Sequence, residues 1–335
     1  MAKARRIALP RAGAGPNLGC MTTALITHPD CLLHVTPDGH PERVARLNAL
    51  LPALDDKALT RVLAPLAAED DLLLAHPAAH VQAIRDGIPR AGWRQIDPDT
   101  FLSPGSLQAA LRAAGGAIRA VDMVLSGEAQ NAFVACRPPG HHAETAQAMG
   151  FCLFGNVAIA AKHALERHGL DRVAIVDFDV HHGNGTQDLV QDDPRILFVS
   201  THEMPLYPGT GQPSDHGPHG TVEHIALRSG TRGPAYREIL ERQVLPRVRA
   251  FAPDLLIVSA GFDAHADDPL AGIRLVEADF DHVTRALCDL AAEVCGGRVV
   301  SCLEGGYDLD ALAASGAIHV DALIDAGAAR GTGAN

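Results

Sequence analysis

Residues 171–187, D-R-V-A-I-V-D-F-D-V-H-H-G-N-G-T-Q, constrain the fold of this chain more than any other stretch. The run 173–176 is short, apolar and mostly β-branched, and it reads as a buried strand of a parallel sheet. Asp177, Asp179, His181 and His182 follow at once, and then a Gly-Asn-Gly turn, where a buried strand would otherwise stay apolar. In open α/β sheets ligands gather beyond the carboxyl ends of the strands, so the position itself argues for a site. Alternation along an extended chain sends Asp177, Asp179 and His181 to one face and Phe178, Val180 and His182 to the other. Two carboxylates and an imidazole on one buried face are costly unless a cation lies among them. A solvated loop with a chance acidic pair is the bland alternative, and the unbroken spacing of two directly after an apolar run argues against it.

At 335 residues and 47% hydrophobic content the chain can bury a large core, as one big α/β domain or two smaller ones. No apolar run approaches the roughly 20 residues that span a bilayer, so a soluble, non-membrane protein is expected. Residues 1–20 carry Lys3, Arg5, Arg6 and Arg11 but no apolar segment of the secretory kind. They read as a flexible leader, or as the product of a start site placed before a true start at Met21. A formal charge of -12 disfavours nucleic acid as a partner and permits cationic substrates. The seven cysteines, Cys20, Cys31, Cys136, Cys152, Cys288, Cys295 and Cys302, form no C-x-x-C pair and sit mostly in apolar contexts. They read as buried thiols in a reducing cytoplasm.

In chain order, a strand is expected over 22–27, a helix over 41–51 and another over 70–86 with Pro77 as a possible interruption. A long Ala-rich helix follows residues 103–106 and ends near Gly127. From there strands (132–136, 173–178, 196–201, 255–259, 299–303) alternate with helices (156–168, 235–251, 280–294, 309–324), which favours a parallel sheet flanked by helices. Neither an internal repeat nor a dividing linker is present, and residues 326–335 read as a frayed tail.

Five strand ends carry polar residues: R-P-P-G-H-H after Cys136, D-F-D-V-H-H, S-T-H after Val199, S-A-G-F-D after Val258, and E-G-G-Y after Leu303. Meeting along one edge, they would form a catalytic site. Asp179, His181 and Asp263 offer three ligands from two strand ends and leave positions open, the pattern of a catalytic metal. Such donors suit zinc, iron(II), manganese or cobalt. Alone, Asp263 would read as a helix N-cap; beside the other strand ends it reads as a ligand. His141 and His142 follow a stiff Arg-Pro-Pro-Gly turn and can divide proton uptake and release if different partners tune them, Asp177 and Asn184 being candidates. Two surface histidines are the bland reading, credible in isolation since the chain has 18. Tyr307 follows Gly305-Gly306, where the backbone can approach closely, and its hydroxyl could donate to a developing oxyanion. Phe151, after Gly150, and Tyr207, before Pro208, could wall a narrow channel, with core packing an equal alternative.

These motifs, with G-F-C, Y-P-G-T-G and G-F-D-A-H-A-D-D-P-L, resemble the histone deacetylase family in its class II-like bacterial branch of acetyl-amide and acetylpolyamine amidohydrolases, over roughly residues 22–324. The resemblance implies the arginase/deacetylase α/β fold, a single domain with a parallel eight-stranded sheet between helices. It implies one catalytic Zn2+ on Asp179, His181 and Asp263, His142 as general base and acid, His141 as its electrostatic partner, and Tyr307 polarising the scissile carbonyl. A structural K+ would lie near Asp177, Asp179, His181 and Ser200. Asn184 stands where class I members carry an aspartate, leaving His142 with a neutral partner. Leu270 stands where polyamine-selective relatives of the eukaryotic type carry a glutamate, which removes one device for reading a cationic substrate.

The expected activity is zinc-dependent hydrolysis of an N-acetyl amide on a primary amine, in a small molecule or a peptide. A homo-oligomer is compatible with this reading. One alternative is a binuclear manganese ureohydrolase on the same fold, which would need further bridging carboxylates. The other is a non-catalytic acyl-lysine binding module, which would be expected to have lost Tyr307 or a metal ligand.

Overall fold

The computed structural model describes residues 23–331. The expected leader and the choice between Met1 and Met21 lie outside the described residues, as do 332–335 of the expected tail. In chain order the elements are β1 (Thr23–Thr27), α1 (Ala45–Leu50), β2 (Leu59–Leu63), α2 (Glu69–Leu72), α3 (Ala78–Gly87), the hairpin β3 (Arg94–Asp97) and β4 (Thr100–Leu102), and α4 (Ser106–Ser126). Next come β5 (Asn131–Val134), α5 (Asn156–His168), β6 (Val173–Asp177), α6 (Asn184–Val190), β7 (Ile196–Glu203) and β8 (Val222–Leu227). The chain finishes with α7 (Gly233–Ile239), α8 (Leu245–Phe251), β9 (Leu255–Ala260), α9 (Glu277–Cys295), β10 (Val299–Leu303) and α10 (Leu309–Gly331).

Eight strands form one sheet in the order β2-β1-β5-β10-β9-β6-β7-β8, and every neighbouring pair is parallel. The interior strands β5, β6, β9 and β10 are buried at every residue, as strands covered on both faces must be. Helices α4 and α5 pack together over one face, and α1, α9 and α10 over the other.

The differences from expectation have local causes. Pro77 does divide the helix expected over 70–86: it caps α3, and α2 stops before it. The helix expected over 235–251 contains a wide π turn at residues 240–244, just before Pro246, whose nitrogen cannot donate to the preceding turn. Helix α1 covers only six residues of the expected 41–51. Two sheet strands, β2 and β8, go beyond the six expected from the residues, and both lie at an edge. The last helix continues to Gly331, so residues 326–331 are helical rather than frayed. Contrary to expectation, its segment Leu309–Ala329 is long and apolar enough, by length and composition, to cross a membrane. Half of that segment is buried inside the fold and packs along α9 and α1, as a core helix does.

Candidate active site

The sheet order makes β5, β10, β9, β6 and β7 consecutive neighbours, so the five polar strand ends do converge along one edge. Past β6 the chain curls rather than extending. Asp177 Oδ1 accepts from the backbone of Asp179 at 3.0 Å, and Asp179 Oδ1 accepts from the backbone of His181 at 2.9 Å, two successive aspartate turns. Asp263, beyond β9, accepts from the Val180 N–H at 2.9 Å, which ties the two strand ends together; it caps no helix, since α9 begins only at Glu277. His181 Nδ1 consequently faces Asp179 Oδ1 at 3.2 Å and Asp263 Oδ2 at 3.1 Å. The donor atoms of these three buried residues lie within 4.8 Å of one another. A Cβ at Gly261 would overlap Asp179, and one at Gly305 would overlap both carboxylates, so the glycines permit the approach.

The electrostatics fit a cation. Burial and the charge of Asp179 push Asp263 up to about 7. Burial opposes the charging of His181, yet its contacts with both carboxylates raise it to about 10. Asp179 is held below the usual carboxylate range, against its burial, by His141 and His181. In the absence of a metal the trio therefore captures a proton, and a divalent ion with oxygen and imidazole preferences would satisfy the same donors.

The adjacent histidines are tuned apart. His141 Nδ1 lies 3.0 Å from Asp177 Oδ2; burial disfavours its charge, but Asp179 and Asp177 raise it well above the ordinary histidine value. His142 Nδ1 donates to Asn184 Oδ1 at 2.7 Å, and Asn184 is itself oriented by donating to Glu144 at 2.7 Å. Burial first, then the charges of His141 and His181, drive His142 well below the ordinary value, leaving a neutral imidazole. The rings of the pair are 4.0 Å apart.

A channel of about 220 Å3 leads to this cluster, lined by Asp99, His142, Gly150, Phe151, His181, Leu206, Tyr207, Leu270 and Tyr307. Phe151 and Tyr207, left open between wall and core, are walls. Phe151 holds a positive φ of 69°, and a Cβ at its neighbour Gly150 would overlap the His142 ring. Burial, then Asp263, raise Tyr307 well above the usual phenol value, so its hydroxyl stays a donor. Asp268 accepts from the Leu270 and Tyr307 backbones at 2.9 and 2.8 Å, joining the Leu270 loop to Tyr307. A roomier groove of about 580 Å3 at Leu33, Val35 and Trp93 shares no lining residue with the channel and none of its chemistry.

Ser200 pairs in register with Asp177, and its hydroxyl lies 2.9 Å from His202. His182 points away from the trio, into a second cluster with Thr210 (2.7 Å) and His224 (3.0 Å).

Three supporting residues are not legible as such in the sequence. Glu304, of the E-G-G-Y motif, accepts from the Gly140 and His141 backbones at 2.7 and 3.1 Å and so fixes the histidine turn. Arg46 donates to the carbonyls of Gly306 and Glu304 at 2.6 and 2.5 Å and lies 5.0 Å over the Tyr307 ring. Glu42 neutralises both Arg46 and the fully buried Arg137. Glu304 alone carried a signal, its place beside Tyr307.

Known proteins resemble this chain in sequence and in fold. A sequence model described as "Histone deacetylase domain" matches residues 40–323. "Histone deacetylase 14, chloroplastic" of Arabidopsis thaliana is 39% identical over 310 residues, 86% of this chain and 73% of that protein. "Histone deacetylase-like amidohydrolase" of Pseudomonas aeruginosa is 40% identical over 277 residues, 80% of this chain and 73% of that protein. The crystal structure of the HDA15 HD domain matches with a TM-score of 0.87 and 33% identity, covering 94% of this chain and 93% of that one.

Proposed function

The chain belongs to the histone deacetylase family, and from that premise we propose that it is a zinc-dependent amidohydrolase removing an acetyl group from a primary amine, in acetyl-lysine or an acetylated polyamine. The observation that carries this reading is His181 Nδ1 facing the carboxylates of Asp179 and Asp263 at the base of a channel that also presents His142 and Tyr307. Asp179, His181 and Asp263 would hold the zinc, which when bound supplies Lewis acidity to the scissile carbonyl and to the attacking water.

The remaining work falls to side chains of this chain. Phe151, Tyr207 and Leu270 clasp an extended apolar stem and exclude water from it. His142, kept neutral by burial, takes the proton of the attacking water at its free Nε2, because Nδ1 is committed to Asn184. Tyr307 donates to the oxygen that becomes negative, from a turn held by Arg46. His141, kept charged by Asp179 and Asp177, offsets the negative charge that develops, and the proton gathered on His142 leaves with the amine. A potassium ion would lie near Asp177, Asp179, His181 and Ser200, where register brings two strand ends together. A cytoplasmic setting suits the six described cysteines, all buried. A binding module without turnover would have no use for both a proton acceptor and an oxyanion donor in one channel.

The test is steady-state kinetics of the zinc-loaded enzyme on acetyl-lysine peptides, acetylputrescine and acetylspermidine, with Tyr307→Phe as control. Turnover of one class that collapses in the variant supports the reading. Zinc-independent turnover, or none on any of these amides, overturns it.

A further inference from the structure

A second group of metal-type donors lies outside the channel. Asp122 on α4 and His163 and His168 on α5 present one ligand atom each, all within 4.8 Å of one another. Both imidazoles direct Nε2 at the same oxygen: His163 Nε2 is 2.9 Å and His168 Nε2 2.7 Å from Asp122 Oδ1. Donors sharing one tetrahedral zinc at about 2.0–2.1 Å each would stand roughly 3.3 Å apart, so an opening of about half an ångström admits an ion. His168 and Asp122 are partly exposed, which allows the shift and leaves room for water as a further ligand.

A second observation concerns the other nitrogen of His163. The residue is 8% exposed, and among the described residues its Nδ1 is buried without a hydrogen-bond partner. It faces Asp71 Oδ1 on α2 at 3.6 Å. If Nε2–H donates to Asp122, a lone pair on Nδ1 is left buried and turned towards a carboxylate, an arrangement with a desolvation cost and no compensation. Metal at Nε2 removes that conflict. The proton then belongs on Nδ1 and points at Asp71, the carboxylate behind a ligating imidazole that metal sites commonly carry.

We propose that Asp122, His163 and His168 form a second site for a divalent first-row transition ion of the zinc, nickel or copper type, with Asp71 orienting His163. Two imidazoles and one carboxylate exclude magnesium and calcium, which take oxygen donors. The ion joins α2, α4 and α5 on the outer layer. It plays no part in amide hydrolysis, because none of its ligands lines the channel. Its effect is ion-dependent stability of the folded chain.

The rival arrangement holds no ion and leaves His163 lying between Asp122 and Asp71. Equilibrium dialysis of the zinc-loaded enzyme against micromolar free Zn2+, followed by metal analysis, separates the two. Two zinc ions per chain are expected for the wild type and one for His168→Gln, with kcat/KM unchanged; Asp122→Asn should behave alike. The exposed His219→Gln should keep two and so controls for surface binding. Added Zn2+ should raise the melting temperature of the wild type and not of His168→Gln. His163 is left intact because it is buried. A wild type holding one ion, or His168→Gln retaining the second, overturns the site. Loss of deacetylase activity in every protein with both ions still bound would count against the proposed function and leave this site standing.

Discussion

His142 gives its Nδ1 proton to the neutral amide of Asn184 at 2.7 Å, while the His141 beside it faces the carboxylate of Asp177 at 3.0 Å. Burial disfavours charge on both rings; Asp179 and Asp177 overcome it at His141, whereas at His142 the charges of His141 and His181 add to it, so a charged and a neutral imidazole stand 4.0 Å apart.

Exchanging the neutral partner should move the pH profile. Asn184→Asp, combined with Glu144→Gln to remove the carboxylate that now receives the Asn184 amide, puts a negative charge on His142 Nδ1. An opposite charge at this range raises an imidazole pKa by about one to three units. The base must be unprotonated, so the acid limb of kcat/KM should shift to higher pH. An unmoved limb would deny His142 the role of base.

Tyr307→Phe removes the hydroxyl alone and leaves the turn held by Arg46 and Asp268 in place. We expect kcat to fall about 10²–10³-fold, the usual cost of one oxyanion donor, with KM and zinc content nearly unchanged. A variant within a few-fold of wild type would assign the oxyanion to another group.

Metal removal by a chelator should abolish turnover, and rebinding should release protons. His181 is raised to about 10 in the metal-free trio, so near neutral pH a proton must leave before the ion enters. Titration calorimetry in two buffers of different ionisation enthalpy should give different apparent heats. Identical heats would mean that the site is already deprotonated.

Glu42→Gln should destabilise the fold by about 3–5 kcal/mol, because it leaves the buried Arg137 and Arg46 without their shared carboxylate. The same residue predicts an acid limit. Burial raises the Glu42 pKa, but Arg137 and its other partners prevail and hold it at about 2 against a reference of 4.5. A depressed carboxylate contributes stability that is present above the unfolded value and lost as pH falls from about 4.5 towards 2. Denaturant melts across that window should show the loss in the wild type, and a smaller one in the variant.

Leu270→Glu places a carboxylate on the channel wall. Turnover of acetylspermidine relative to a neutral acetyl-lysine peptide should rise by up to about tenfold, equivalent to roughly 1.4 kcal/mol of charge pairing. An unchanged ratio at low salt would show that substrate charge passes elsewhere.

The interior strands of this protein can be read from the order of its residues. A fully buried parallel strand must be apolar until it ends, so β6 and its neighbours announce both their extent and the abrupt appearance of Asp177, Asp179 and His181. The edges do not announce themselves. Strand β2 has no buried residue, with Leu63 67% exposed, so no apolar run marks it before β1 pairs with it. Which polar groups act together depends on how the layers pack. Arg46 Nε and Gly306 O are 260 residues apart in the chain, and Asn131–Val134 and Val299–Leu303 become neighbours only through the sheet order. Spacing along a chain reports periodicity within one element. It carries no record of which distant carboxylate will meet an imidazole, because that is set by packing between layers, and it is this meeting that raises His141 and His181 while burial keeps His142 neutral.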